Sequence, residues 1–223
     1  MASRILRWPR HKAEEPVTLI TPGRGTSIIV KKFALLISIS SLFLAGCQTT
    51  STSSQSMTQV VSQLEARPFS AEDKDWGVAP QDVIRKGSYH APTPVTLPGA
   101  KVVATYALAQ SLQGNSKPVL INVLTGSWVN ALPGSVWLSG AGQGAGFDDP
   151  TQARMAKRLD ELTGGDKTKP VVFYCLSSEC WLSYNAALRA QRIGYTNVGW
   201  YRGGVDSWKA AGLPIERIDR DQW

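Results

Sequence analysis

Val171-Val172-Phe173-Tyr174-Cys175-Leu176-Ser177-Ser178-Glu179-Cys180-Trp181 is the stretch on which the fold turns. Its first four residues are β-branched or aromatic and read as a buried strand. The residues that follow, Leu182 to Ile193, space Leu182, Ala186, Ala190 and Ile193 for one face of a helix. Cys175 is therefore predicted at the carboxyl end of a strand, facing the amino end of a helix. Unpaired N–H groups and the helix dipole favour anions there. A thiol so placed has a lowered pKa and more of its nucleophilic thiolate. Two of the chain's three cysteines lie in this segment, which points to catalysis or redox chemistry.

On either side the text alternates between strand and helix patterns. Val102-Val103 reads as a short strand, and Thr105 as the cap of a helix to Leu112 closed by Gly114. Pro118 to Val123 reads as a buried strand and Ser135 to Leu138 as a shorter one. Asp149-Pro150 opens a helix with Ala153, Ala156, Leu159 and Leu162 on its apolar face and Gly164-Gly165 at its end. Val198 to Tyr201 is the last strand, followed by a helix from Val205 to Ala211 that Gly212-Leu213-Pro214 stops. This alternation predicts an α/β fold with a mainly parallel central sheet and helices on both faces. Ligands of such sheets sit beyond the carboxyl ends of the strands, where Cys175 is placed.

Leu132-Pro133-Gly134-Ser135, the strand–cysteine loop–helix unit, Gly194-Tyr195-Thr196-Asn197-Val198, Gly203-Gly204, Trp208 and Gly212-Leu213-Pro214 occur in an order that resembles a rhodanese-like (sulfurtransferase) domain, over about residues 100–216. The segment from Cys175 through Cys180-Trp181 to Ala187 further resembles a narrower rhodanese-like group. That group is named for a Cys…Cys-Trp motif and associated with pyrroloquinoline-quinone-dependent catabolism. The resemblance implies sulfur transfer through a persulfide on Cys175, with Leu176, Ser177, Ser178, Glu179 and Trp181 as the substrate-binding loop. It also implies a protein partner in a quinone-dependent dehydrogenase system. Rhodaneses typically carry Asp-x-Arg after the second strand, where this chain has Asn122-Val123-Leu124. The loop offers Glu179 and no Lys or Arg, and a like charge repels a dianionic donor such as thiosulfate.

Three chemistries fit two cysteines in such a loop to different degrees. In sulfur transfer, Cys175 takes sulfane sulfur from a small donor and passes it to a thiol, with backbone N–H groups of residues 176–181 cradling the anionic sulfur. In thiol–disulfide exchange, Cys175 attacks and Cys180 resolves, which needs Cα atoms about 5.5–6 Å apart. Phosphatase chemistry needs an arginine to grip the oxyanion, and Leu176 through Ala187 contains none. A binding module without turnover, with inert buried thiols, stands beside these. Trp181 either roofs the pocket or packs on the final helix, aromatic burial being the commoner use. Tyr184 and Trp200 read as core, and Asn185 as a brace of the loop or an exposed helical position.

Other constellations fall short. His90 is the one imidazole after the leader. It reads as a surface or packing residue, and pairing it with Cys175 would require its proline-rich segment to fold across the strand ends. Two cysteines and a distant histidine do not make a zinc site of about four ligands, and the residues demand no cofactor. The glycines of Gly140 to Gly146 lack the strand context of a nucleotide cradle and read as a flexible loop.

The net charge of +7 over 223 residues invites a nucleic-acid reading. Removing the seven basic and two acidic residues before Cys47 leaves +2, with no basic stripe interleaved with aromatics, so no nucleic-acid partner is expected. The front has its own logic. Lys31-Lys32 precede an apolar run, Phe33 to Leu44, too short to span a bilayer comfortably. Leu44-Ala45-Gly46-Cys47 resembles the lipobox of bacterial lipoproteins, which implies cleavage before Cys47, its acylation and a membrane anchor.

Residues 1–46 are thus leader and signal peptide, and residues 1–29, without any core-forming period, fit a translation start at Val30. Gln48 rather than Asp after the acylated cysteine fits an outer membrane over an inner one in a Gram-negative envelope, with the domain facing the periplasm. Residues 47–63, rich in Ser, Thr and Gln, read as a flexible tether. Residues 64–99 read as a proline-rich irregular arm that wraps the domain with Trp76 and Tyr89 as anchors. Residues 217–223 read as a polar tail.

Overall fold

A computed structural model of the chain describes residues 56–127 and 129–223. The leader, Cys47 and most of the expected tether lie outside the described residues. Five strands, β1 (Lys101–Val102), β2 (Val119–Asn122), β4 (Val136–Trp137), β5 (Val171–Tyr174) and β6 (Val198–Tyr201), form a sheet in the order β1-β6-β5-β2-β4, every pair parallel. A separate antiparallel pair joins β3 (Val129–Ala131) to β7 (Glu216–Ile218).

The side chains of the central strands alternate between two cores, as the period of two requires. Ile121, Val171, Phe173, Val198 and Trp200 face one core with Met155, Leu159 and Leu182, carried by α3 (Pro150–Thr163) and α4 (Trp181–Ile193). Leu120, Val172, Tyr174 and Tyr201 face the other with Val61, Leu108 and Trp208, carried by α1 (Met57–Gln63), α2 (Thr105–Ser111) and α5 (Gly204–Ala210). The expected parallel sheet with helices on both faces is the fold observed. Among the described residues no helix is long and apolar enough to cross a membrane.

Several local expectations need correcting. The expected tether of residues 47–63 is helical from Met57. Ser56 and Gln59 form a capping box, and Val61 buries itself beside Leu108. Thr105 does not cap α2 but is its first helical residue; the cap is the Glu72 carboxylate from the arm, which accepts from the Thr105 N–H at 2.9 Å and hydroxyl at 2.6 Å. On α3 the buried face is Met155, Leu159 and Thr163, and Ala153 is exposed. The tail is not merely polar: Glu216–Ile218 pairs with β3, and Asp221 takes a fork from Arg158.

Helix α4 departs furthest from its one-faced reading. Every residue from Trp181 to Ala190 is buried. The cause is a second cover, the arm, which binds α4 at Trp181, Tyr184 and Asn185. Between Gln63 and Lys101, all described, the chain forms no helix or strand, only a single bridge at His90. It is held instead by side chains of α4. The Tyr184 hydroxyl accepts from the Gln81 N–H at 2.9 Å and donates to the Gln81 carbonyl at 2.8 Å. Asn185 grips the Arg85 backbone through both ends of its amide, at 3.1 and 3.0 Å.

The Gly140–Gly146 segment is no free loop either. Its carbonyls at Gln143 and Gly146 accept from Arg189, which is fully buried and forks onto Asp149. Gly142 presses on α4 so closely that a Cβ there would overlap the Leu182 backbone.

Candidate functional site

β5 ends at Tyr174, and Cys175 continues its inward-facing row after Val171 and Phe173. Tyr174 points to the other core, where its hydroxyl accepts from the Leu132 N–H at 3.0 Å and donates to Ser135 at 2.7 Å. Burial pushes its pKa up to about 12, against the pull of those hydrogen bonds. The Leu132-Pro133-Gly134-Ser135 turn is thereby tied to the residue immediately before the cysteine.

From Cys175 the loop turns back on itself, and Cys180 stands at the N-cap of α4. The two cysteines are joined in a disulfide with Cα atoms 6.1 Å apart, close to the usual spacing. Both residues are 1% exposed. Between them Leu176 is 40% exposed, Glu179 is exposed and Ser178 is buried.

Two sets of hydrogen bonds shape this loop. From one side, α5 donates its first N–H groups to it, Val205 to the Cys175 carbonyl at 3.1 Å and Asp206 to that of Leu176 at 2.9 Å. From the other side comes the arm. The Thr93 N–H and hydroxyl both donate to the Ser178 carbonyl, at 3.1 and 2.6 Å, and the Tyr89 carbonyl accepts from the Trp181 N–H at 2.8 Å. His90 bridges Cys180 in antiparallel sense, with an exposed side chain. The arm thus does fold across the strand ends.

This geometry changes the expected anion cradle. The Trp181 N–H, at the amino end of α4, is spent on Tyr89, and that of Glu179 on the Ser177 hydroxyl at 3.2 Å. Trp181 packs rather than roofs a pocket, but against the arm and not the final helix. Its indole N–H donates to the Pro92 carbonyl at 2.9 Å, and the Arg85 guanidinium lies 4.6 Å over its ring.

Reading the sequence missed Thr93 and Arg202. Arg202 follows β6 and is buried, donating to the Thr93 hydroxyl (3.0 Å) and carbonyl (3.0 Å) and to the carbonyls of Glu72 (2.7 Å) and Lys74 (2.8 Å). Burial lowers its pKa, with Asp75 and Asp73 opposing. The one hint was a charged residue directly after a wholly buried strand.

As closed, the pair can accept two electrons and presents no nucleophile; reduction returns the Cys175 thiolate. A cavity of about 460 Å³ opens at the β1 edge between Arg67, Val95, Val102 and Tyr106, and no residue of the cysteine loop lines it. Among the described residues no cluster of three or more His, Cys, Asp or Glu is placed to hold a metal ion.

Residues 105–211 match the family model described as the rhodanese-like domain. This part of the chain is a rhodanese-like domain. No curated protein matches the chain. Among solved structures, it is similar to a thiosulfate sulfurtransferase from Pseudomonas aeruginosa at 20% identity and a TM-score of 0.41, covering 54% of this chain and 21% of that one. The chain thus spans about a fifth of that enzyme's length. It is also similar to the polysulfide-sulfur transferase homodimer of Wolinella succinogenes, at 20% identity and a TM-score of 0.38 over 56% of this chain and 82% of that one. A rhodanese-like domain from Anabaena sp. stands at 17% identity and 0.40, over 57% and 85%. Likenesses of this strength say nothing about substrate.

The rhodanese-like domain holds both cysteines, α4, α5 and Arg202, but not the arm that binds its loop. Asn122, which stands where rhodaneses typically carry Asp-x-Arg, is fully buried at the end of β2, and its Oδ1 accepts from the Leu124 N–H at 2.9 Å.

Proposed function

We propose that this protein is a sulfurtransferase-type carrier in which Cys175 holds sulfane sulfur as a persulfide and Cys180 resolves it. The observation that supports this most is the placement of both cysteines at the carboxyl end of β5 in a rhodanese-like domain, with Cα atoms 6.1 Å apart. The Cys175 thiolate attacks the outer sulfur of a persulfide or polysulfide donor, and the donor leaves as its thiolate. An acceptor thiolate then takes that sulfur and restores Cys175. Alternatively the Cys180 thiolate attacks Cys175 and expels hydrosulfide, so the sulfane sulfur is reduced as the two cysteines are oxidised to the disulfide. Glu179, exposed on the loop, favours donors of low negative charge. An acylated Cys47 would hold this chemistry at a bacterial envelope, facing the periplasm.

Intact-mass measurement tests the reading. The reduced Cys180→Ser chain, exposed to polysulfide, gains ~32 Da on Cys175 for one sulfur atom on the attacking thiolate. The native chain instead releases hydrosulfide and ends ~2 Da below its reduced mass, as a two-electron couple requires. The closed pair itself favours a second reading, thiol–disulfide exchange without sulfur carriage. That reading replaces the first if Cys180→Ser gains no sulfur while the native chain still cycles between its two masses with a dithiol.

A further inference from the structure

The disulfide is buried, yet only one side of its loop is covered by the rhodanese-like domain itself. The other side is covered by Tyr89 to Thr93 of the arm, fastened by the bonds from Thr93 to Ser178 and from Trp181 to Tyr89 and Pro92. Attack on a disulfide needs a thiolate to approach one sulfur in line with the bond. With both cysteines 1% exposed, that approach requires the cover to move. α5 is fixed in the domain by Val205 and Trp208 in the core. The bonds that hold the arm segment run to Ser178, Trp181, Gly144 and Arg202, and two of them meet at the Thr93 hydroxyl. The Thr93 hydroxyl donates to the Ser178 carbonyl and accepts from Arg202 Nε, so it uses both of its capacities at a fully buried position. Among side chains of similar size only serine can repeat this.

We infer that Thr93, latched by Arg202, is a positioning residue of the cysteine loop, and that the Tyr89–Thr93 segment gates attack on the Cys175–Cys180 bond by outside thiols and sulfane donors. This rests on the reading of the pair as the reacting group. Opening breaks the bonds of Tyr89–Thr93 to Ser178, Trp181, Gly144 and Arg202 and leaves the sheet intact. An outside dithiol then attacks one sulfur, the other cysteine leaves as a thiolate, and the second thiol of the reagent closes on the first. Two electrons and two protons pass to the cysteines, and the reagent departs as its own disulfide.

The test is the rate at which dithiothreitol reduces the oxidised full chain, followed by mass, alongside amide hydrogen exchange. Thr93→Val raises the rate roughly fivefold or more, since it removes one ordinary hydrogen bond and one from a charged guanidinium. Thr93→Ser restores the native rate. In Thr93→Val the Trp181 amide exchanges faster by the same factor, while the Phe173 amide in central β5 is unchanged. A Thr93→Val rate within twofold of native overturns the inference, and so does a rise matched by the Phe173 amide, which marks global unfolding. Should Thr93→Val not fold, the native chain decides. Its reduction must be slower than that of an oxidised Cys-Leu-Ser-Ser-Glu-Cys peptide by the protection factor of the Trp181 amide; reduction as fast as the peptide's overturns gating. Sulfur carriage is read separately, by the ~32 Da gain in Cys180→Ser, so loss of either conclusion leaves the other standing.

Discussion

Gly204 stands against the Cys175 carbonyl so closely that a Cβ would lie 2.5 Å from its oxygen, and Gly204 has a φ of +60°. Both the contact and the left-handed backbone call for glycine. The position also starts the turn from which Val205 and Asp206 donate to the loop. Gly204→Ala is expected to cost roughly 2–5 kcal/mol, as strain of the backbone adds to overpacking. Urea unfolding of the oxidised chain measures it; a loss under about 0.5 kcal/mol, ordinary for a surface change, would refute the contact.

Arg189 and Asp149 carry a second prediction. Burial raises the Asp149 pKa, but the Arg189 fork and the N–H groups of Gln152 and Ala145 outweigh it and hold the carboxyl down to about 2. The native state therefore binds fewer protons than the unfolded chain between about 2 and the ordinary carboxylate value of 3.8, and stability rises with pH across that window. Asp149→Asn should be clearly less stable than the native chain at pH 7, with the gap closing as pH falls from about 4 towards 2. Denaturant midpoints at several pH values check this, and a constant gap contradicts it. Arg189→Met should cost roughly 3–5 kcal/mol at pH 7, since it strands a carboxylate and two carbonyls.

Tyr174→Phe removes the acceptor of the buried Leu132 N–H and the donor to Ser135. A loss of about 1–3 kcal/mol is expected from the unsatisfied amide. Thermal unfolding gives the size of the loss, and exchange at the Leu132 amide shows whether it arises there.

Glu179→Gln bears on donor choice. For a sulfur carrier, neutralising this exposed carboxylate should speed loading from an anionic donor by roughly two- to fivefold, with less effect at high salt and none for a neutral donor. Equal effects on charged and neutral donors would remove Glu179 from the approach path.

The strand, the cysteine loop and the helix after it were legible because their signals are local: a β-branched run, a polar break and helical spacing. The parallel sheet with helices on both faces follows from the same alternation, whereas the strand order does not. What stayed hidden was contact between residues far apart in sequence. Glu72 capping α2, Thr93 on Ser178, and Arg202 reaching Lys74 and Glu72 each join the arm to the domain across many residues. No period announces such pairs. Arg189 went unremarked for another reason: nothing local marks a helical cation as buried, and here a glycine-rich turn distant in sequence brings its carbonyls to the guanidinium. Of the two readings of Trp181, roof or packing residue, the structure shows packing, but its partner was unreadable, because proline-rich chain shows where helices fail and not where it lies.

Arg202 also decides where this protein can be cut. A fragment starting at the family boundary, residue 105, would keep the guanidinium and discard each carbonyl that it binds, along with the carboxylate that caps the first helix. It would leave that guanidinium without its partners and α4 without the arm that binds it. The smallest self-supporting piece is therefore longer than the motif that names it, and the proline-rich stretch ahead of the first strand belongs to its architecture as fully as any strand does.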